Sequence, residues 1–78
     1  MVSNIALKSL RGKKLKTQQE VADMLDIARQ TYNGYEADLL RVDLDTCFDI
    51  LKVLDANEQE AEEFFNAIKQ DYMSYKGE

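Results

Sequence analysis

Arg29, Gln30 and Asn33 stand close together in the stretch IARQTYNGYE, residues 27–36. Each carries a planar polar head that can make paired hydrogen bonds, the guanidinium to two acceptors and the carboxamide to a donor and an acceptor side by side. In the major groove of a nucleic-acid duplex, the first pattern matches guanine and the second matches adenine. The same residue types also make an ordinary solvated helix face, so their neighbours must decide between the two. Elsewhere the chemistry is thin. With no histidine in the chain, no nucleophile–base pair of the usual kind can be built. No glycine-rich phosphate loop occurs. The acids between residues 58 and 63 run along a helix beside an apolar stripe, which reads as a solvated face and not as paired catalytic carboxylates. The sequence is therefore not expected to be an enzyme, and no metal, cofactor or small-molecule ligand is expected.

Seventy-eight residues allow one domain with a small core. The single cysteine, Cys47, rules out a disulfide within the chain and suits a reducing setting. Its place on an apolar helix face points to core packing rather than redox chemistry. No 18-residue apolar run or signal-peptide pattern is present, so neither a membrane span nor export is expected. Proline is absent and helix-forming residues are abundant, which predicts an all-α protein. The formal net charge of −5 conceals an asymmetry. Residues 1–41 hold seven bases against five acids, a net of +2, whereas residues 42–78 hold three bases against ten acids, a net of −7. The first half is thus compatible with a polyanionic partner although the whole chain is acidic.

The elements that must hold Arg29, Gln30 and Asn33 follow from hydrophobic spacing. Leu7 and Leu10, with Ile5 nearby, mark a first helix over about residues 4–11 that frays near Gly12. The stretch GKKLK is a basic, exposed connection. Thr17-Gln18-Gln19-Glu20 has the form of a capping box and opens a second helix over about 18–25, with Asp26 suited to a left-handed stop. A third helix covers about 29–36, with Tyr32 and Tyr35 inward and Arg29, Gln30 and Asn33 outward. After a loop-like segment, Asp43 or Asp45 caps a fourth helix whose apolar face is Leu44, Cys47, Phe48, Leu51 and Leu54. The last helix runs from Glu58 to about Tyr75. Its apolar face is Ala61, Phe64, Phe65, Ile68, Tyr72 and Tyr75, with Glu60, Glu62, Glu63 and Asp71 mostly off it.

The stretch TQQEVADMLDIARQTYNGYE resembles the helix-turn-helix of the Cro/CI-type (XRE) repressor family, whose fold is lambda-repressor-like. The resemblance rests on Gln18 after an N-cap threonine, the small Ala22 where two helices cross, Ile27 in the turn, Tyr32 facing inward and Glu36 closing the unit. It extends from about residue 4 to 57. The chain departs from the family at Asp26 and Asp38, where glycine is usual, at Ala28, where a capping hydroxyl is usual, and at Val42, where proline is usual. These departures imply a looser loop after the third helix.

The resemblance implies a five-helix domain. Residues 1–57 would form the helix-turn-helix DNA-binding part, and residues 58–78 a C-terminal amphipathic helix for packing and dimerisation, within one domain overall. It implies base reading by Arg29, Gln30 and Asn33, with Gly34 letting the helix approach closely. Phosphate contacts are expected from Gln18, Lys13, Lys14, Lys16 and Ala28. Arg11 and Glu36 are expected to pair structurally. The apolar stripe of Phe64, Phe65, Ile68, Tyr72 and Tyr75 exceeds what one small core needs and predicts a homodimer contact. The implied function is a sequence-specific double-stranded DNA-binding transcriptional regulator, a repressor of phage or mobile-element type. It would be cytoplasmic, bind an operator duplex and leave room for a regulatory protein partner. The alternative is an antitoxin or interaction adaptor acting through its acidic C-terminal helix.

Overall fold

Short polar signals set where the helices begin. The computed structural model describes residues 2–76, with side chains described through residue 74. Its helices are α1 (Val2–Lys13), α2 (Gln18–Met24), α3 (Arg29–Ala37), α4 (Leu44–Val53) and α5 (Glu58–Lys76), with a 3-10 turn at Leu39–Arg41. The domain is therefore all-α with the helix-turn-helix at α2 and α3, as expected. The Thr17 hydroxyl accepts from the Glu20 amide at 3.0 Å, and the Glu20 carboxylate accepts from the Thr17 amide at 2.9 Å. Asn57 and Glu60 repeat this reciprocal capping at the start of α5, at 2.8 and 2.9 Å. Asp43, rather than Asp45, caps α4 through the Thr46 amide at 2.8 Å. Each such cap is worth about 1 kcal/mol.

The stops are equally specific. Leu15, Asp26 and Asp55 take left-handed φ values of 59°, 58° and 53° after α1, α2 and α4. Behind each, the amide of the next residue reaches back five positions: Lys16 to Arg11, Ile27 to Ala22 and Ala56 to Leu51. These bonds satisfy carbonyls that a helix end would leave unpaired, although no glycine stands at any of the three turns.

The core lies where all five helices meet. Leu7 and Leu10 of α1, Val21 and Ala22 of α2, Tyr32 of α3, and Leu39 of the 3-10 turn are buried in it. So are Cys47, Ile50, Leu51 and Leu54 around α4, and Phe64 of α5. Ala22 is fully buried, as a close α2–α3 crossing requires. The Cys47 thiol is buried as expected, and burial, with a smaller contribution from Asp43, pushes its pKa up. Among the described residues no helix is long and apolar enough to cross a membrane.

Several expectations are corrected. Helix α1 begins at Val2 and continues through Gly12 to Lys13. Ile5 is 65% exposed and plays no part in the core. On α4 the buried face is Cys47, Ile50 and Leu51, while Leu44 and Phe48 are 60% and 54% exposed. The two stripes differ by a fraction of a helical turn, and the one containing Ile50 faces the core that α4 shares with α2; Phe48 lies at the rim, with its ring 5.2 Å from that of Phe65. The segment after α3 is not loose. The Asn4 side chain donates to the Ala37 carbonyl at 2.8 Å and accepts from the Leu39 amide at 3.2 Å, which pins the 3-10 turn to α1.

The largest correction concerns α5. Glu60 and Asp71 were expected off its packed face, yet both are buried. Helix α5 runs antiparallel to α1, and the two carboxylates hold its ends. Asp71 accepts from the Val2 and Ser3 amides at 2.9 and 2.7 Å and from the Ser3 hydroxyl at 2.5 Å. It thereby caps an α1 that has no acid in its own first turn. Burial alone would raise the Asp71 carboxyl; the hydrogen bonds from Ser3 and Val2 outweigh it and hold the pKa below its usual value. At the other end Glu60 takes Lys13 at 2.6 Å and Lys14 at 2.9 Å.

Lys13, then the Asn57 amide and Lys14, hold the Glu60 carboxyl at about 2, below its ordinary 4.5. A carboxyl that ionises more readily when folded stabilises the fold above its unfolded pKa. That contribution is lost as the pH falls through the interval down to about 2. Urea unfolding midpoints should therefore drop between pH 6 and pH 3, and Glu60→Gln should lower the midpoint at pH 6 while flattening this dependence. An unchanged pH slope in Glu60→Gln would remove Glu60 from the account.

Candidate nucleic-acid interface

Helix α3 is held from behind by its aromatic and acidic residues. Tyr32 is fully buried, Glu36 is 1% exposed and Tyr35 is half-buried. The two tyrosine rings meet edge to face, with centroids 6.3 Å apart. At 100° per residue this leaves Arg29, Gln30, Asn33, Gly34 and Ala37 on the outer side, and all five are exposed. Ala37 had not been singled out from the sequence, although its spacing from Asn33 and Gly34 places it on the same face. A Cβ added at Gly34 would meet nothing within 4 Å, so no crowding inside the protein requires this glycine. Ala28 leaves the start of α3 without a side-chain cap, at a cost of about 1 kcal/mol.

Glu36 is the centre of the arrangement. Arg11 of α1 donates to it through Nε at 2.6 Å and through a second guanidinium nitrogen at 3.3 Å, a two-pronged pair. Arg11 also donates to the Lys16 carbonyl at 3.0 Å, which ties the last part of the α1–α2 connection to the same group. Gln18 of α2 donates to Glu36 at 2.9 Å and to Asn33 at 3.1 Å from the same nitrogen. Burial pushes the Glu36 carboxyl up, but the hydrogen bonds from Arg11 and Gln18 prevail and hold its pKa below the ordinary value. The Tyr32 hydroxyl lies beside this carboxylate without a hydrogen bond of good geometry. Burial first, and then the Glu36 charge, raise the pKa of that hydroxyl. The pairing of Arg11 with Glu36 is as expected. The reach of Gln18 across to Asn33 was not visible in the sequence, because nothing in the spacing of residues 18 and 33 reports the crossing of two helices.

The residues expected to meet phosphate are not all brought together. Gln18 is at the α2–α3 junction, but both hydrogens of its side-chain amide are directed at protein acceptors. Lys16 is two residues before it and half-buried. Lys13 and Lys14 point to α5, where Glu60 holds both and Lys14 also donates to the Asp55 carbonyl at 3.1 Å. On α5, Phe64 is 2% exposed and belongs to the core, Phe65 and Ile68 are half-buried, and Tyr72 is 51% exposed. The side chain of Tyr75 lies outside the described side chains.

Two crossed helices with a braced inner face and an outer face free of acids define a helix-turn-helix DNA-binding domain. The family model HTH_3, described as helix-turn-helix, matches residues 7–60. The chain belongs to this Cro/CI-type family of DNA-binding regulators. No curated protein and no solved structure matches it.

Removing one partner from a mostly buried ion pair leaves the other charge uncompensated and typically costs about 3 kcal/mol. Arg11→Met should therefore lower the unfolding free energy by about that amount, measured by urea denaturation at pH 7. A loss below about 0.5 kcal/mol would mark the pair as no stronger than an exposed one.

Proposed function

We propose that this protein is a sequence-specific regulator of transcription that reads the major groove of an operator duplex with α3, and that it acts as a repressor of phage or mobile-element type. The observation that carries the reading is the outer face of α3. Arg29, Gln30 and Asn33 project from a helix whose inner side is locked, and beside them on the same face Gly34 presents bare backbone with open space in front of it. A glycine that costs about 1 kcal/mol in a helix and answers no need inside the monomer suits a surface that must come close to something else. Arg29 reads guanine and Gln30 reads adenine, with the Ala37 methyl available to a thymine methyl.

Phosphate attraction comes from Lys16, with the main chain at Gln18 and Ala28 at the rim of the face. Lys13 and Lys14 add to it at longer range from their place against Glu60. The reading also includes a homodimer. The described part of this surface is the half-buried Phe65 and Ile68 and the exposed Tyr72 of α5, and Phe65 meets the exposed Phe48 of α4. A second copy is the occupant that suits this surface, because one short reading helix gives little specificity and two at a fixed spacing give much more. The alternative, an antitoxin or adaptor working through the acids of α5, is weaker, since Glu60 and Asp71 are engaged within the fold.

Selection from random duplexes, followed by titration over a range of salt, tests the DNA reading. Affinity for the selected site should fall steeply with salt. Arg29→Ala and Gln30→Ala should each relax preference at one base position by about 1–3 kcal/mol. If both variants keep the affinity and preference of the parent, α3 does not read bases. For the dimer, sedimentation at micromolar concentration should show a two-chain species, alone or on the selected duplex. A monomer under both conditions removes it.

A further inference from the structure

The hydrogen bonds behind α3 have a direction, and that direction reaches its outer face. An ionised carboxylate accepts hydrogen bonds and donates none. Glu36 is kept ionised by Arg11, so any neutral amide that touches it must offer a nitrogen. Gln18 does so, with Nε2 2.9 Å from Glu36 Oε1. The other hydrogen of that nitrogen goes to Asn33 Oδ1 at 3.1 Å. The sequence of polarities is therefore set from the Arg11 cation outward: Arg11 donates to Glu36, Gln18 donates to Glu36, and Gln18 donates to Asn33. The Asn33 oxygen is turned back toward α2. Its amino group, on the opposite side of the same planar carboxamide, is turned away from α2 with both hydrogens available.

This polarity bears on what Asn33 can recognise. Adenine presents an acceptor, N7, beside a donor, N6, and a carboxamide matches it only with its oxygen and nitrogen both facing the base. Guanine presents two acceptors, N7 and O6, side by side. We propose that Asn33 is a specificity-determining residue held by Gln18 in a donor-only orientation, so that it selects guanine rather than the adenine that an unrestrained asparagine prefers. Gln18 is then a positioning residue that acts on base choice without touching a base. The inference rests on the DNA-binding reading above.

The test uses the full chain and selection from random duplexes with the parent, Asn33→Ala and Gln18→Met. Asn33→Ala identifies the base position that Asn33 reads, as the one whose preference it flattens. At that position the parent should take guanine over adenine by about tenfold or more. Gln18→Met keeps the side chain's length but cannot donate, so it should bring the guanine-to-adenine ratio at that position close to one. The positions read by Arg29 and Gln30 should keep their preferences in Gln18→Met. A parent duplex in which that guanine is replaced by 7-deazaguanine, which lacks N7, should bind several-fold more weakly, a readout that does not depend on any variant folding. Any base other than guanine in first place overturns the proposal, as does a guanine preference that survives Gln18→Met or an Asn33→Ala that flattens no position. If the parent enriches no sequence at all, the DNA-binding reading fails and this inference goes with it.

Discussion

Glu36 is an anion in a place that water scarcely reaches, and much of the reading head follows from the need to neutralise it. A buried carboxylate without partners would cost several kcal/mol. Arg11 answers with two nitrogens and Gln18 with one. Because the partners come from α1 and α2 while the acid belongs to α3, satisfying one charge fixes the relative placement of three helices. Tyr32 fills the space beside it, and the outer residues of α3 inherit their position from this inner arrangement. The specificity surface therefore sits on an electrostatic knot more than on an apolar one.

The same device recurs at the other side of the domain. A 78-residue chain has few apolar side chains to spare, and α5 is fastened to α1 at both ends by carboxylates. Asp71 supplies the anion that the start of α1 lacks, while Glu60 neutralises two lysines and caps its own helix. These contacts explain how an acidic helix belongs with a basic half-chain. The charge asymmetry along the sequence is partly cancelled within the fold by these ion pairs.

Much of this was legible in the residues. The capping box at Thr17, the left-handed stop at Asp26 and the inward tyrosines each report a local preference that the fold keeps, because one helix and its turn suffice to express it. The Arg11–Glu36 pair was legible only through resemblance, since nothing local joins residues 25 positions apart. What was misread depends on contacts between distant elements. Phe48 and Ile50 both fit a helical stripe, and only the way α4 packs on the core it shares with α2 chooses between them. Asp71 and Glu60 look solvated until α1 is laid antiparallel to α5. Lys13 and Lys14 look like a free basic patch until Glu60 arrives from the far side of the chain. Gln18 looked able to offer its amide outward, and the crossing of α2 over α3 turns it inward.

The clasp between Ser3 and Asp71 has a topological consequence. It brings together backbone positions 68 residues apart, so the chain from α1 to α5 is nearly a closed ring. The order in which the helices are connected could be changed there without moving any residue of the core or of the reading face. Val2 and Ser3 of α1 and Asp71 of α5 thus share one edge of the domain.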